Sequence, residues 1–244
     1  MNISFDLVLQ YLTSPAFLRG AGMTLLLTGC ALVGGIVIGL GLALLQDARA
    51  AALRSVAVAY VWLFRGTPVL FQIIFIFNVL PAVGVTLSGF TSAVVALSLN
   101  EGAYMAEIVR SGLRAVRQGQ RSAGLALGMK NAQLMRFVVI PQALRVVLPS
   151  LGNQAIGMLK LTALVSVIAV EELLLVANQT ASADFRYLEA LIAAGFYYLA
   201  ITTVFMFGQS WIERRLSTSR QARDKRISLT QRLLGATSSA GAIR

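Results

Sequence analysis

Histidine is absent from the 244 residues, and cysteine occurs once. The first absence removes the commonest general base and transition-metal ligand. The second excludes a disulfide framework and a thiolate metal site. Charge is scarce as well, at 13% of the chain against roughly 25% in ordinary soluble domains. Acids are the scarcest, ten against 21 Lys and Arg, and none lies between Ile108 and Val170. A chain this poor in polar side chains cannot cover a globule with them. That excludes a soluble globular enzyme, a disordered tail and a collagen-like fibre. What is abundant is apolar: 57% of residues, with a mean hydropathy of +0.75. The composition describes an integral membrane protein.

A helix needs about 20 mostly apolar residues to cross roughly 30 Å of hydrocarbon. Five stretches qualify: Met23–Leu45, Ser55–Leu80, Leu87–Ile108, Val146–Ala177 and Tyr187–Ile212. The first carries no charge and is too long for a signal-peptide core, so it reads as a retained helix. The second is interrupted by Arg65-Gly66-Thr67-Pro68, and the fourth is expected to break near Lys160. All 21 basic residues except Arg19, Arg65, Lys160 and Arg186 then fall on one side. The positive-inside rule makes that side cytoplasmic, with the N-terminus outside and the C-terminus inside. Residues 1–19 read as an extracytoplasmic interfacial segment, in which Phe5, Leu7, Val8, Tyr11, Leu12 and Phe17 form an apolar stripe. Residues 20–217 form the membrane domain. Residues 218–244 form a basic cytoplasmic tail, expected to be poorly ordered beyond about Leu234.

The basic segment 111–142 is long for a connection, and its pattern is helical. Gln118–Leu127 suits one short helix and Asn131–Ile140 a second, with Leu134, Phe137 and Val138 on one face. Gly128 suits a left-handed cap between them, and Pro141 is expected to interrupt the second. From the residues alone this could be a basic hairpin held on anionic lipid. However, the run Gly119-Gln120-Arg121-Ser122-Ala123-Gly124-Leu125-Ala126-Leu127-Gly128-Met129, followed by Ile140-Pro141, resembles the EAA loop of ABC importer permeases. That pattern is Glu-Ala-Ala, three residues, Gly, nine residues, then Ile-x-Leu-Pro. Gly128 and Pro141 match its spacing, whereas Ser122 stands where it has Glu. Phe64–Leu70, Ala103–Gly112, Leu148–Gln154 and Lys160–Leu164 resemble the polar amino-acid (histidine, glutamine, arginine, opine) group of those permeases.

The resemblance implies an all-α integral membrane protein of MetI-like permease fold, with five transmembrane helices and a cytoplasmic coupling loop of two short helices. It implies the permease subunit of a bacterial inner-membrane importer. Its partners would be two ABC ATPase subunits, a second permease subunit (identical or homologous), an extracytoplasmic amino-acid-binding protein and membrane lipid. No nucleic acid would be involved. The docking contacts would come from Gln120, Ser122, Ala123, Gly124, Gly128, Met129 and Pro141. The chain contains no G-x-x-x-x-G-K-[ST] phosphate loop, so it is not expected to be an enzyme. ATP and Mg would belong to the partner ATPase, with no cofactor or metal in this chain.

Ionisable groups within spans are costly and usually face a cavity or one another. Arg65, Glu107 and Arg110 are expected to form a structural ion-pair group at the cytoplasmic interface. Asn100, Tyr104, Lys160, Thr162 and Glu172 are expected to line a mid-depth substrate pathway, with Asn153 and Gln154 supplying neutral hydrogen bonds. Gly35 and Gly39 form a G-x-x-x-G suited to helix packing. An alternative function is an ion channel or secondary transporter using Glu101 and Glu107, although these lie about 240° apart on one helix.

Overall fold

The computed structural model describes residues 3–216, and within them the regular elements are all helical. The basic tail expected over residues 218–244 lies outside the described residues. The chain opens with α1 (Phe5–Thr13) and α2 (Pro15–Gln46), where Ser14 caps the second helix by accepting from Phe17 N–H. Pro15 sits in the first turn of α2, where its missing N–H costs nothing. The first span therefore begins eight residues before Met23, because the interfacial segment and the span meet at a capped corner.

Helices α3 (Ala51–Gly66) and α4 (Val69–Asn78) replace the second expected span and meet at 103°. Pro68 explains the corner: it cannot donate to a helical carbonyl, and it holds the residue before it extended. Helix α5 (Gly89–Ala115) is the centre of the bundle, with Ala93, Ala96, Leu97, Ala103 and Ala106 fully buried. It packs most extensively on α2 through small residues. A side chain at Gly35 would put its Cβ 2.5 Å from Glu101 Cγ, and one at Gly39 would overlap Met105. The G-x-x-x-G is thus the seam along which two backbones approach.

Helices α6 (Gln118–Ala126) and α7 (Asn131–Leu134) form the two-helix connection. Pro141 does not interrupt the second of them. A π turn over Met135–Val139 leads straight into α8 (Ile140–Leu161), with Pro141 in its first turn. The wider turn is where an extra carbonyl is accommodated and the proline ring needs no i−4 partner. The helix then tightens to 3₁₀ over Thr162–Ile168 and ends at Ala169, whose φ is +57°. The run Asn131–Ile168 is long and apolar enough to cross a membrane as one unit. The break expected near Lys160 therefore lies at Ala169–Glu172, and α9 (Leu173–Asp184) is a separate element. Helix α10 (Tyr187–Leu216) completes the bundle.

By length and composition three helical runs can cross a membrane, with the α3–α4 pair a fourth. The remaining expected span is α5, whose Glu101, Glu107, Arg110 and Arg114 lower its hydropathy and whose burial compensates. At the N-terminal end of α2, α1 turns Val8 and Tyr11 onto α9 and α10 rather than onto lipid alone. Tyr11 donates to Asp184 (2.7 Å), and Tyr197 donates to the Leu12 carbonyl (2.6 Å).

Candidate functional site

The elbow between α6 and α7 arises from one backbone requirement. Gly128 has φ +79°. Its N–H donates to Leu125 O (2.9 Å), and Met129 N–H donates to Gly124 O (3.1 Å). These two bonds make a Schellman turn, which needs a left-handed residue at the position Gly128 occupies. Gly124 serves by close approach instead: a Cβ there would lie 2.5 Å from Leu134 Cδ1. The elbow is fixed beneath by Val116, Leu134, Val139 and Ala143, a small core joining the ends of α5, α7 and α8. Arg121 ties α6 to α5 by donating to Leu113 O (3.0 Å).

Of the expected docking residues, Gln120, Ser122, Ala123, Gly128 and Pro141 are exposed, Gly124 is buried and Met129 is half-buried. Phe137, expected on a shared apolar face with Leu134 and Val138, instead points outward under the Arg136 guanidinium. Sequence reading missed Leu125 and Leu127, which are 51% and 84% exposed. Their pattern fits an amphipathic helix equally well in either rotation, so only the packing of Gly124 on Leu134 reveals that they face outward.

A polar knot sits behind the α3–α4 corner. Gln72 Nε2 donates to Phe64 O (3.0 Å), Thr67 O (3.1 Å) and Thr67 Oγ1 (2.8 Å). Asn100 Nδ2 donates to Phe64 O and to Gln72 Oε1, both at 3.1 Å. These are the groups that a helix broken at Pro68 leaves without helical partners, and buried carbonyls at membrane depth need replacements. Asn100 is thereby engaged in holding the corner. Gln72 was legible only as a lone amide in an apolar run.

The other expected pathway residues do not converge on one pocket. Thr162 is fully buried and donates to Leu159 O within its own turn. Glu172 is fully buried and caps α9, accepting from Leu174 N–H (2.9 Å), Leu175 N–H (2.8 Å) and Tyr198 O–H (2.8 Å). Tyr104 and Lys160 are exposed. Asn153 accepts from Gln209 (3.0 Å), and Gln154 donates to Glu101 (3.0 Å). The ion-pair group divides in the same way. Arg65 lies 3.8 Å from Glu107 and over the Tyr104 ring, whereas Arg110 turns to Asp47 (4.0 Å) and donates to Gln46 (2.7 Å). The i+3 spacing put Arg110 within reach of Glu107, but the end of α2 lies on its other side. Glu101 is 1% exposed, whereas Glu107 is half-buried and paired with Arg65, so the two acids do not line one path. Among the described residues, no group of three or more acids, Cys or His could hold a metal ion.

Comparison with known proteins agrees with this architecture. A family model described as "Binding-protein-dependent transport system inner membrane component" matches residues 35–218. The glutamine transport system permease protein GlnP of Escherichia coli (strain K12) is 38% identical over 216 residues, covering 88% of this chain and 99% of that protein. The L-cystine transport system permease protein TcyB of Bacillus subtilis (strain 168) is 39% identical over 215 residues, covering 88% and 92%. Among solved structures, an amino acid ABC transporter crystallised with histidines superposes with a TM-score of 0.83. It is 40% identical, over 88% of this chain and all of that one.

Proposed function

Because the chain belongs to the family of binding-protein-dependent transport system inner-membrane components, we propose that it is the permease subunit of an ABC importer. Its substrate is a polar or charged amino acid, received from an extracytoplasmic binding protein and released to the cytoplasm. The observation that carries this reading is the elbow. Two short helices joined at a left-handed glycine present exposed Leu125 and Leu127, and the second of them continues without a break through α8 into the membrane domain. Apolar side chains on a solvated turn mark a surface that a partner covers. Motion delivered there passes to α8 as a rigid body.

The partner is an ATPase dimer that binds ATP and Mg, with one elbow for each permease subunit of a pair, identical or homologous. The N-terminus is outside and the Arg-rich face is cytoplasmic, a reading supported by the distribution of Lys and Arg. Tyr104 and Lys160 are the side chains through which the amino acid passes. Lys160 offers its ammonium to the carboxylate, which cannot cross a dry core without a partner. Asn153 and Gln154 lie on the same helix, one to two turns earlier. The test is reconstitution of the permease with its ATPase and binding protein in vesicles. ATP-dependent uptake of radiolabelled glutamine, arginine or cystine is expected, and it requires all three components. Uptake without the ATPase, or ion conduction by the permease alone, would overturn the reading. Cysteines at positions 85 and 182 should label from outside and those at 118 and 220 should not.

A further inference from the structure

Two cavities meet where α2, α5 and α8 reach the Arg-rich face. One, of about 300 Å³, has a half-apolar wall from Leu113 and Val116, and a polar one from Asp47, Arg110, Arg114, Gln118 and Arg121. The other, of about 470 Å³, is almost wholly apolar and shares Asp47 and Leu113 with the first. Its α2 wall runs from Ile36 through Leu40 and Ala43 to Asp47, a span of about 16 Å at 1.5 Å per residue. Its α8 wall runs from Ile140 through Leu144 to Leu151, the same length in the opposite direction. Both walls therefore match one leaflet, half of the roughly 30 Å hydrocarbon core. Leu40, Leu44, Ile140 and Leu144 are each more than 40% exposed along it.

We propose that this double cavity is a binding site for an anionic glycerophospholipid of the leaflet on the Arg-rich side. The length and polarity of the groove fit one acyl chain, and the charge at its end fits a phosphate. Three arginines and a single carboxylate line it, and that carboxylate is 62% exposed. Arg110 Nε is buried, lies 4.0 Å from Asp47 Oδ1 and has no hydrogen-bond partner, so Asp47 leaves its charge incompletely satisfied. A phosphodiester oxygen in the cavity would accept from the guanidinium N–H groups that line it. Basic pockets between helices at the cytoplasmic surface recognise lipid headgroups by this chemistry. The bound lipid would brace α2 against the root of the elbow, because Arg114 and Arg121 belong to the elements that carry it.

The experiment is lipid retention by the full-length permease, read by native mass spectrometry after exchange into detergent with phosphatidylglycerol or phosphatidylcholine of the same acyl chains. Phosphatidylglycerol should be retained in preference. Arg114→Gln should lower its retention about fivefold, the loss expected for one surface cation. Retention of phosphatidylcholine should not change. Ala43→Trp, which fills the groove, should lower retention of both lipids while the arginines remain. Equal retention of the two lipids in the wild type would overturn the proposal. So would displacement of phosphatidylglycerol by soluble sn-glycerol 3-phosphate, which would mark a free-phosphate site. Efficient Leu40→Cys disulfide formation between two copies would assign the groove to a second permease subunit instead.

Discussion

Replacing Gly128 tests whether the elbow depends on backbone geometry. A Cβ at this position would meet nothing within 4 Å, so no steric clash contributes. The cost comes from φ +79° alone, about 1–2 kcal/mol for a residue with a side chain. That is a roughly 5–30-fold shift in the local equilibrium between the turned and opened elbow. Opening also releases the two turn bonds to Leu125 O and Gly124 O. Gly128→Ala should therefore insert normally, since insertion comes from apolar transfer elsewhere. Its amino-acid-stimulated ATP hydrolysis should fall by up to that factor. Gly128→Asn should fall less, because Asn tolerates the left-handed region. Gly128→Asp shares that tolerance but adds a charge to the apolar docking face, so it should lose the ATPase altogether. The assay is co-purification of the ATPase and its hydrolysis in lipid, with the four proteins side by side. If Ala matches the wild type, or if Asn and Ala are equally impaired, strain at this turn is not what couples the two subunits.

Gly39→Leu should lower thermal stability in detergent by about 1–3 kcal/mol through overpacking of the α2–α5 seam, whereas Gly41→Ala, with open space around it, should raise it. Gln72→Leu should destabilise by about 1–3 kcal/mol, because the Thr67 carbonyl loses its buried donor; unchanged melting would refute the knot as a support for the corner. Burial, with help from the Asp184 acceptor, pushes the Tyr11 phenol up to about 12 from an ordinary value of 10. The protonated phenol is thus the form that docks α1, so docking should be constant below pH 10 and lost as pH rises from about 10 through 12. Tyr11→Phe should abolish that alkaline step in amide exchange of residues 5–13. Lys160→Met should impair uptake while the ATPase still co-purifies, and normal uptake would remove Lys160 from the pathway.

The amino-acid sequence determined the class of this protein because membrane residence is a matter of transfer free energy, which adds along the chain. Apolar runs of sufficient length, and a one-sided distribution of Lys and Arg, mark which segments enter the membrane and favour an orientation, with little help from tertiary contacts. Gly128 was legible for a similar reason: a left-handed turn is a local demand that only a few residue types meet. The small-residue seam at Gly35 and Gly39 was legible as a spacing, though its partner helix was not. What tertiary structure decided was where each polar side chain is engaged. Asn100, Thr162 and Glu172 looked alike in sequence, each a polar group at membrane depth. One holds a broken corner, one bonds within its own turn and one caps α9. Arg110 had Glu107 at the right spacing on its own helix, yet it turns to the end of α2. In each case the outcome depends on which unsatisfied backbone or charged group lies within about 3–4 Å across the bundle. Helix periodicity specifies a face but not the neighbour that occupies it.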